Sequence, residues 1–332
     1  MLEKFERIKL GHFPTPIEPL KNISRYLNGP DLFIKRDDCT GLATGGNKTR
    51  KLEYLIPDAI KNKAELIITI GAVQSNHARQ TAAACAIMGL KCLIILEQRL
   101  NNPNSVYMNS GNVFLDRLFG AEVVLCPKGK DITEYSEALI SNLKKKGTKA
   151  YFIPGGGSNY IGALGYVQCF NEIIKENEKY NFTHIVHATG SAGTQAGLLA
   201  GKKFFKSKIP IVGICVRHKK AIQEEKVFDE ARLVCEKLKC DTLDKSEVIV
   251  HDQYIGSGYG EPTEGMVEAM NLLAKKEGII LDPVYSGKGF AGLIDLIRKN
   301  KFSNNDKILF IHTGGAASLS AYEWAFKFKK FA

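Results

Sequence analysis

No stretch of this sequence, 332 residues long, approaches the roughly 18 uncharged apolar residues that a membrane-spanning helix requires. Nothing is therefore expected to cross a bilayer. The first ten residues carry Glu3, Lys4, Glu6, Arg7 and Lys9 and lack the apolar stretch of a secretory signal. Cysteine is present eight times but never as Cys-x-x-Cys, and no histidine cluster lies beside any of the eight. That spacing argues against a zinc centre or a disulfide framework. Cys92, Cys126 and Cys215 lie in apolar runs, as small buried hydrophobes do, so the expected setting is free thiols in a reducing cytoplasm. Arginine is also scarce. The net charge is +11, from 46 basic and 35 acidic residues, but only 10 of the basic residues are arginine. The lysines are scattered, as in Lys144-Lys145-Lys146 and Lys327-Phe328-Lys329-Lys330, rather than set in a stripe interleaved with aromatics. A nucleic-acid partner is not expected, whereas an anionic small substrate or cofactor is compatible with the charge. There is no internal repeat and no Pro- or Ser-rich linker, so composition does not mark a domain boundary.

With 44% hydrophobic and 24% charged residues, the chain is an ordinary globular one, long enough for about two domains. Short β-branched apolar runs alternate with amphipathic segments. The runs Leu66–Ile70, Cys92–Leu96, Val123–Leu125, Tyr151–Ile153, His184–His187, Ile211–Val216, Val248–Val250 and Ile308–Ile311 read as buried parallel strands. Ala78–Gly89, Ile132–Lys146, Gly265–Lys276 and Lys48–Asn62 read as helices. Pro57 is expected to kink the last of these or to restart it after Ile56. The alternation predicts an α/β fold with mainly parallel twisted sheets flanked by helices.

Five segments carry candidate chemistry. In Thr44-Gly45-Gly46-Asn47-Lys48, two glycines let backbone approach a ligand, and a lysine stands at the mouth of a helix. The positive end of the helix dipole there disfavours the ammonium form, as Schiff-base chemistry needs. The same stretch, Gly41 to Thr49, also approximates a nucleotide P-loop with Asn47 inserted. Gln74-Ser75-Asn76-His77 joins a strand to a helix, where an amino-acid carboxylate can be held. Ser75 or Asn76 also suits a plain N-cap. Thr189-Gly190-Ser191-Ala192-Gly193-Thr194 converges backbone amides, hydroxyls and a helix start into a phosphate cup. It lacks the full dinucleotide pattern. Two further segments place Tyr259 and Tyr285-Ser286 among flexible residues, and Thr313 follows the last strand before Gly314-Gly315.

In order and spacing, these segments resemble the pyridoxal-phosphate enzymes of the tryptophan-synthase β-like fold (fold type II). Within it they resemble the D-cysteine desulfhydrase and 1-aminocyclopropane-1-carboxylate (ACC) deaminase group. The resemblance runs from Pro14-Thr15-Pro16 through Lys35-Arg36-Asp37-Asp38 to His312-Thr313-Gly314-Gly315. It implies that Lys48 binds pyridoxal 5'-phosphate covalently and serves as the base. Asn47, Asn76, residues Thr189 to Thr194 and Thr313 would contact the cofactor. Gln74, Ser75, Asn76, His77, Tyr259, Tyr285 and Ser286 would face the substrate, with Ser75, Tyr259 and Tyr285 taking part in catalysis. It implies a large cofactor domain, residues 1–52 with 161–332, a small α/β domain, residues 53–160, and a homodimer. ACC deaminases carry Glu and Leu where this chain has Ser286 and Thr313. A carboxylate near the pyridine nitrogen deepens the electron sink, while a neutral hydroxyl does not. The expected reaction is therefore β-elimination from D-cysteine, giving pyruvate, ammonia and hydrogen sulfide. The alternatives are ACC deamination, desulfonation of L-cysteate, for which no cationic pocket can be located in the sequence, and nucleotide binding by a P-loop.

Overall fold

The computed structural model describes residues 2–326; the lysines at 327, 329 and 330 lie outside this range. Among the described residues, ten strands form two sheets. Six belong to the first: β1 (Ile17–Pro19), β2 (Asp31–Lys35), β7 (His184–Thr189), β8 (Ile211–Cys215), β9 (Ile249–His251) and β10 (Lys307–Ile311), in the order β1-β2-β10-β7-β8-β9. Only β1 runs antiparallel to its neighbour. The second sheet holds β3 (Leu66–Ala72), β4 (Lys91–Glu97), β5 (Glu122–Leu125) and β6 (Ala150–Ile153), all parallel, in the order β5-β4-β3-β6. Eleven α-helices among the described residues surround them: α1 (Lys21–Leu27), α2 (Lys48–Lys61), α3 (Asn76–Met88), α4 (Ser105–Asn109), α5 (Gly111–Leu118), α6 (Ile132–Lys145), α7 (Tyr160–Tyr180), α8 (Gly193–Phe204), α9 (Lys220–Leu238), α10 (Glu264–Glu277) and α11 (Ser286–Arg298).

Successive strand residues point to opposite faces, and both faces are covered. Ile94 and Leu96 of β4 join one apolar cluster while Leu93 and Ile95 join another. Likewise Leu309 and Ile311 of β10 pack on one side, Ile308 and Phe310 on the other. Burial on both faces is why these strands read as continuous apolar runs. All eight expected strands are present, with ends shifted by one or two residues. The sequence reading missed β1 and β2. Proline ends the first. The second ends in Lys35, a buried ammonium 2.9 Å from Glu172, which disguises a strand as a polar segment.

Pro57 does not restart its helix. The helix α2 runs through it from Lys48 to Lys61. Proline lacks the N–H that the Glu53 carbonyl would accept, and the Ile8 amide donates to that carbonyl instead, at 3.0 Å. The strands of the second sheet all fall between residues 66 and 153, and the segments on either side supply the first.

Candidate active site

The turn before α2 is fixed from within. Gly45 has φ +78°, and a Cβ there would lie 1.8 Å from the Asp38 carbonyl oxygen, so only glycine fits. The Gly45 amide donates to the Leu42 carbonyl, the Gly46 amide to Thr40 Oγ1, the Asn47 amide to the Thr313 carbonyl and the Thr49 amide to Gln80 Oε1. These are the donors a P-loop would turn toward phosphate, and here all are spent inside the protein. No strand runs directly into Gly41 either, since β2 ends at Lys35 and a short helical turn, Asp37–Cys39, intervenes, so the P-loop reading is overturned. Lys48, the first residue of α2, is buried, and its Nζ has no hydrogen-bond acceptor among the described residues. Burial pushes its pKa well below the ordinary lysine value, and the neighbouring Lys51 ammonium pushes it further. An unpartnered, readily deprotonated amine is what imine chemistry requires.

Strand β3 ends at Ala72, and Ser75 caps α3, its Oγ accepting from the Ala78 amide at 3.1 Å. Asn76 Oδ1 accepts from both Arg79 Nη1 and Asn112 Nδ2, each at 2.9 Å. Its carbonyl end is thus spent and its NH₂ end is on offer. Thr69 Oγ1 donates to the Ile153 carbonyl and so must accept from His77 Nε2, 2.8 Å away, which leaves Nδ1 without a proton. Burial, then Lys48 and Lys51, hold His77 well below its usual value, so its ring stays neutral. The structure does not bring Gln74 into the site. Its Nε2 donates to the carbonyls of Tyr107 and Ser110, and its Oε1 accepts from the Asn112 amide, so the side chain has nothing left for a substrate.

The segment after β7 turns sharply into α8. Ala192 takes φ +74°, a conformation that costs a non-glycine residue free energy and is often found at functional sites. The amides of Ser191, Ala192 and Thr194 have no acceptor among the described residues, while the Gly193 amide is held by Ser158 Oγ. Ser158 Oγ also donates to Ser191 Oγ, and Lys51 Nζ stands 3.3 Å from Ser158. Gly193 sits in the wall behind, where a Cβ would lie within 2.8 Å of Glu230, Lys51 and Ser158. Orphan amides at a helix start beside a lysine are a donor set for a phosphate. Across the cup, Asn47 Nδ2 donates to Thr194 Oγ1, tying it to the turn that carries Lys48.

One narrow cavity joins Asn47, Lys48, Asn76, residues 189–192, Thr194, Tyr285 and Thr313. It opens into a cleft of about 630 Å³ that also reaches Ser75, His77 and Tyr259. The hydroxyls of Tyr259 and Tyr285 lie 2.5 Å apart. Burial raises Tyr285 well above the ordinary tyrosine value. Ser286 is not in either space. Its amide and Oγ both donate to Asp282 Oδ1 at 2.6 Å, and it closes the turn into α11. Sequence reasoning missed Lys51, Ser158, Arg99 and Arg217. The two arginines stand two residues beyond the ends of β4 and β8, where α/β proteins bind ligands, and that position was their only signal.

Over residues 8–314 the chain matches the sequence profile of the family described as pyridoxal-phosphate dependent enzyme. The chain belongs to the pyridoxal-phosphate-dependent enzymes. Its family cofactor, pyridoxal 5'-phosphate, fits the geometry: a free buried amine, a cup of unpaired amides and an amide NH₂ end face one cavity. The chain is 43% identical over 323 residues to the D-cysteine desulfhydrase of Serratia proteamaculans (strain 568), covering 97% of each. Among solved structures it resembles an ACC deaminase homologue with a TM-score of 0.89 and 39% identity, over 98% of this chain and 96% of that one. It also resembles a pyridoxal 5'-phosphate-dependent aspartate racemase, with a TM-score of 0.67 and 18% identity over 97% of each chain; that likeness extends to the fold alone.

Proposed function

We propose that this pyridoxal-phosphate enzyme eliminates the β-substituent of D-cysteine, giving pyruvate, ammonia and hydrogen sulfide. The observation that carries the reading is the buried, unpartnered Lys48 amine facing the 189–194 cup, and the relation to a D-cysteine desulfhydrase supports the substrate. Residues 189–192 and Thr194 hold the phosphate, Lys48 anchors the cofactor, and the Asn76 NH₂ end and Thr313 meet its ring. When bound, the cofactor supplies an electron sink for the pair left on Cα.

The substrate carboxylate is placed at Ser75, at the positive start of α3. Lys48 Nζ, which burial makes readily deprotonated, would remove the Cα proton. Tyr285, its phenol raised by burial, keeps its proton near neutral pH, so the tyrosine pair offers an O–H to the departing sulfur. The Cβ–S bond breaks with its electron pair on sulfur, and water hydrolyses the resulting enamine to pyruvate and ammonia. We extend the proposal to a two-domain division at residues 53 and 160, on the separation of the sheets, and to a cytoplasmic homodimer, on the family resemblance.

The purified protein is expected to show a visible absorption band that borohydride abolishes, with the label on Lys48. K48A is expected to lose roughly a thousandfold or more in turnover, because anchor and base vanish together. Formation of 2-oxobutyrate from ACC with no pyruvate from D-cysteine would replace this reading with ring opening. Size-exclusion chromatography at twice the chain mass tests the dimer.

A further inference from the structure

The segment between β9 and α10, residues 252–263, carries Tyr259 and has no helix or strand of its own. Side chains pin its two ends. The Lys220 amide donates to Asp252 Oδ2 at 2.9 Å, the Tyr254 hydroxyl to Asp295 Oδ2 at 2.6 Å and the Asn101 amide to Glu261 Oε1 at 3.2 Å. Between those points, no backbone amide from 255 to 260 has an acceptor among the described residues. One side chain fills the gap. Lys288, the third residue of α11 and fully buried, donates through Nζ to the Ile255 carbonyl at 2.6 Å and to the Gly258 carbonyl at 3.0 Å. Burial lowers its pKa to about 8 while Glu261 and Asp282 pull the other way, so the group is an ammonium at neutral pH. Burying a charge is costly unless its hydrogen bonds are met, and here both of those bonds go to the backbone of this one loop.

Tyr285 stands three residues before Lys288, at the start of the same helix. Its amide donates to Asp282 Oδ2 and its carbonyl accepts from the Gly289 amide, so its position is set. Lys288 therefore joins the segment that carries Tyr259 to the segment that carries Tyr285, and the two hydroxyls meet 2.5 Å apart. We propose that Lys288 is a positioning residue, which sets Tyr259 against Tyr285 so that the pair can protonate the departing sulfur. The inference rests on the proposed function, in which that pair is the acid. The Cβ–S bond breaks with both electrons on sulfur, the hydrosulfide takes the phenolic proton and leaves as hydrogen sulfide, and the pair is reprotonated from water. Lys288 itself lines neither the narrow cavity nor the cleft, so it acts only through the tyrosines. Chloride in place of the thiol would leave as the anion of a strong acid and would take no proton. The lysine should therefore matter for one leaving group and hardly for the other.

The test uses purified enzyme loaded with pyridoxal phosphate. Pyruvate is measured from D-cysteine and from β-chloro-D-alanine, and hydrogen exchange of residues 252–263 is followed by mass spectrometry. In K288M, kcat for D-cysteine should fall at least about tenfold more than kcat for β-chloro-D-alanine, since a small misplacement of a catalytic group is enough for such a loss. KM for D-cysteine should change little, the amides of 255–260 should exchange faster, and the visible cofactor band should persist. K288R, which keeps the charge and several donors, should recover part of the loss. K288Q, with a shorter donor, serves where K288M does not hold the cofactor and should show the same preference to a smaller degree. Added to Y259F, K288M should cost D-cysteine turnover little more, because its effect passes through that hydroxyl. Equal losses on the two substrates, or a full K288M loss in the Y259F background, overturn the positioning role and leave the proposed function standing. A wild type that releases no sulfide from D-cysteine refutes the D-cysteine reading instead. Faster exchange at 255–260 in K288M then upholds the tie made by Lys288, and unchanged exchange overturns it.

Discussion

Adding one methyl group at Gly165 tests how tightly the helix that carries Lys48 is held. In the interior of α7, Gly165→Ala should gain about 1 kcal/mol from helix propensity alone. Against this, the new Cβ would lie 2.3 Å from the Arg50 carbonyl oxygen, 2.5 Å from its carbon and 2.9 Å from the Lys51 nitrogen. Ordinary contact needs about 3.5 Å, so one backbone must yield by about 1 Å. Neither is free to do so. Arg50 is pinned by five hydrogen bonds to Thr15, Asp37 and Glu172. Overpacking a core costs about 1–3 kcal/mol, and a rigid obstacle belongs at the upper end. The net loss should be about 1–2 kcal/mol, lowering Tm by about 2–4 °C per kcal/mol. Because Arg50 is two residues from Lys48, affinity for pyridoxal phosphate should weaken with it. Gly265→Ala in α10 is the control. Its Cβ meets only Ala291 Cβ at 3.7 Å, so that variant should not lose stability. The measurements are thermal melting and titration of the apoenzyme with cofactor. If G165A melts at or above the wild type and binds cofactor equally well, the close crossing of α7 and α2 is not what fixes the lysine.

Arg50→Met should cost about 3–5 kcal/mol in urea unfolding, because Asp37 and Glu172 would stay buried with Lys35 as their remaining cation. Burial pushes Asp37 up, yet Arg50, with help from Lys35 and the Tyr166 hydroxyl, outweighs it and holds the carboxylate below its ordinary value. A loss under 1 kcal/mol would show that the network is dispensable. Burial pushes Asp116 up to about 8 against the pull of Arg79 and Arg117, and neither of its oxygens has a hydrogen-bond partner. The folded value exceeds the unfolded one of about 4, so this residue's contribution is full below about pH 4 and is lost as pH rises to 8. Asp116→Asn should therefore gain on the wild type by about 2–3 kcal/mol between pH 6 and pH 8 and level off above that. A difference that does not change with pH would refute the assignment.

The strands were legible because burial on both faces leaves an unbroken apolar signature, and β2 was not because Lys35 finds a buried partner 137 positions further along the chain, at Glu172. Segments flanking Lys48 and the 189–194 cup were legible for a different reason. Glycines and hydroxyls beside strand ends are a local pattern, and ligand sites in parallel sheets collect there. The same pattern misled at Gln74 and Ser286. Composition identifies a polar group but does not say whether a neighbour has already taken its hydrogen bonds. Tyr107, Ser110 and Asn112 saturate Gln74, while Asp282 takes both donors of Ser286. Arg99 and Arg217 were invisible as a pair, since only the approach of two sheets makes them neighbours.

The proline in α2 has a further consequence. By leaving the Glu53 carbonyl free, Pro57 turns the middle of a helix into a docking point for the start of the chain. The Glu53 carboxylate enlarges it, with Oε1 accepting the Leu10 and Gly11 amides and Oε2 bound to Arg7. These contacts join residues 42 to 46 positions apart. The helix that presents Lys48 thus reaches its full hydrogen-bond complement only after the N-terminal segment has closed a long loop onto it. Assembly of the Lys48 helix is thereby coupled to capture of Arg7 to Gly11, and a protein clipped near its N-terminus would lose a seam of that helix rather than a dispensable tail.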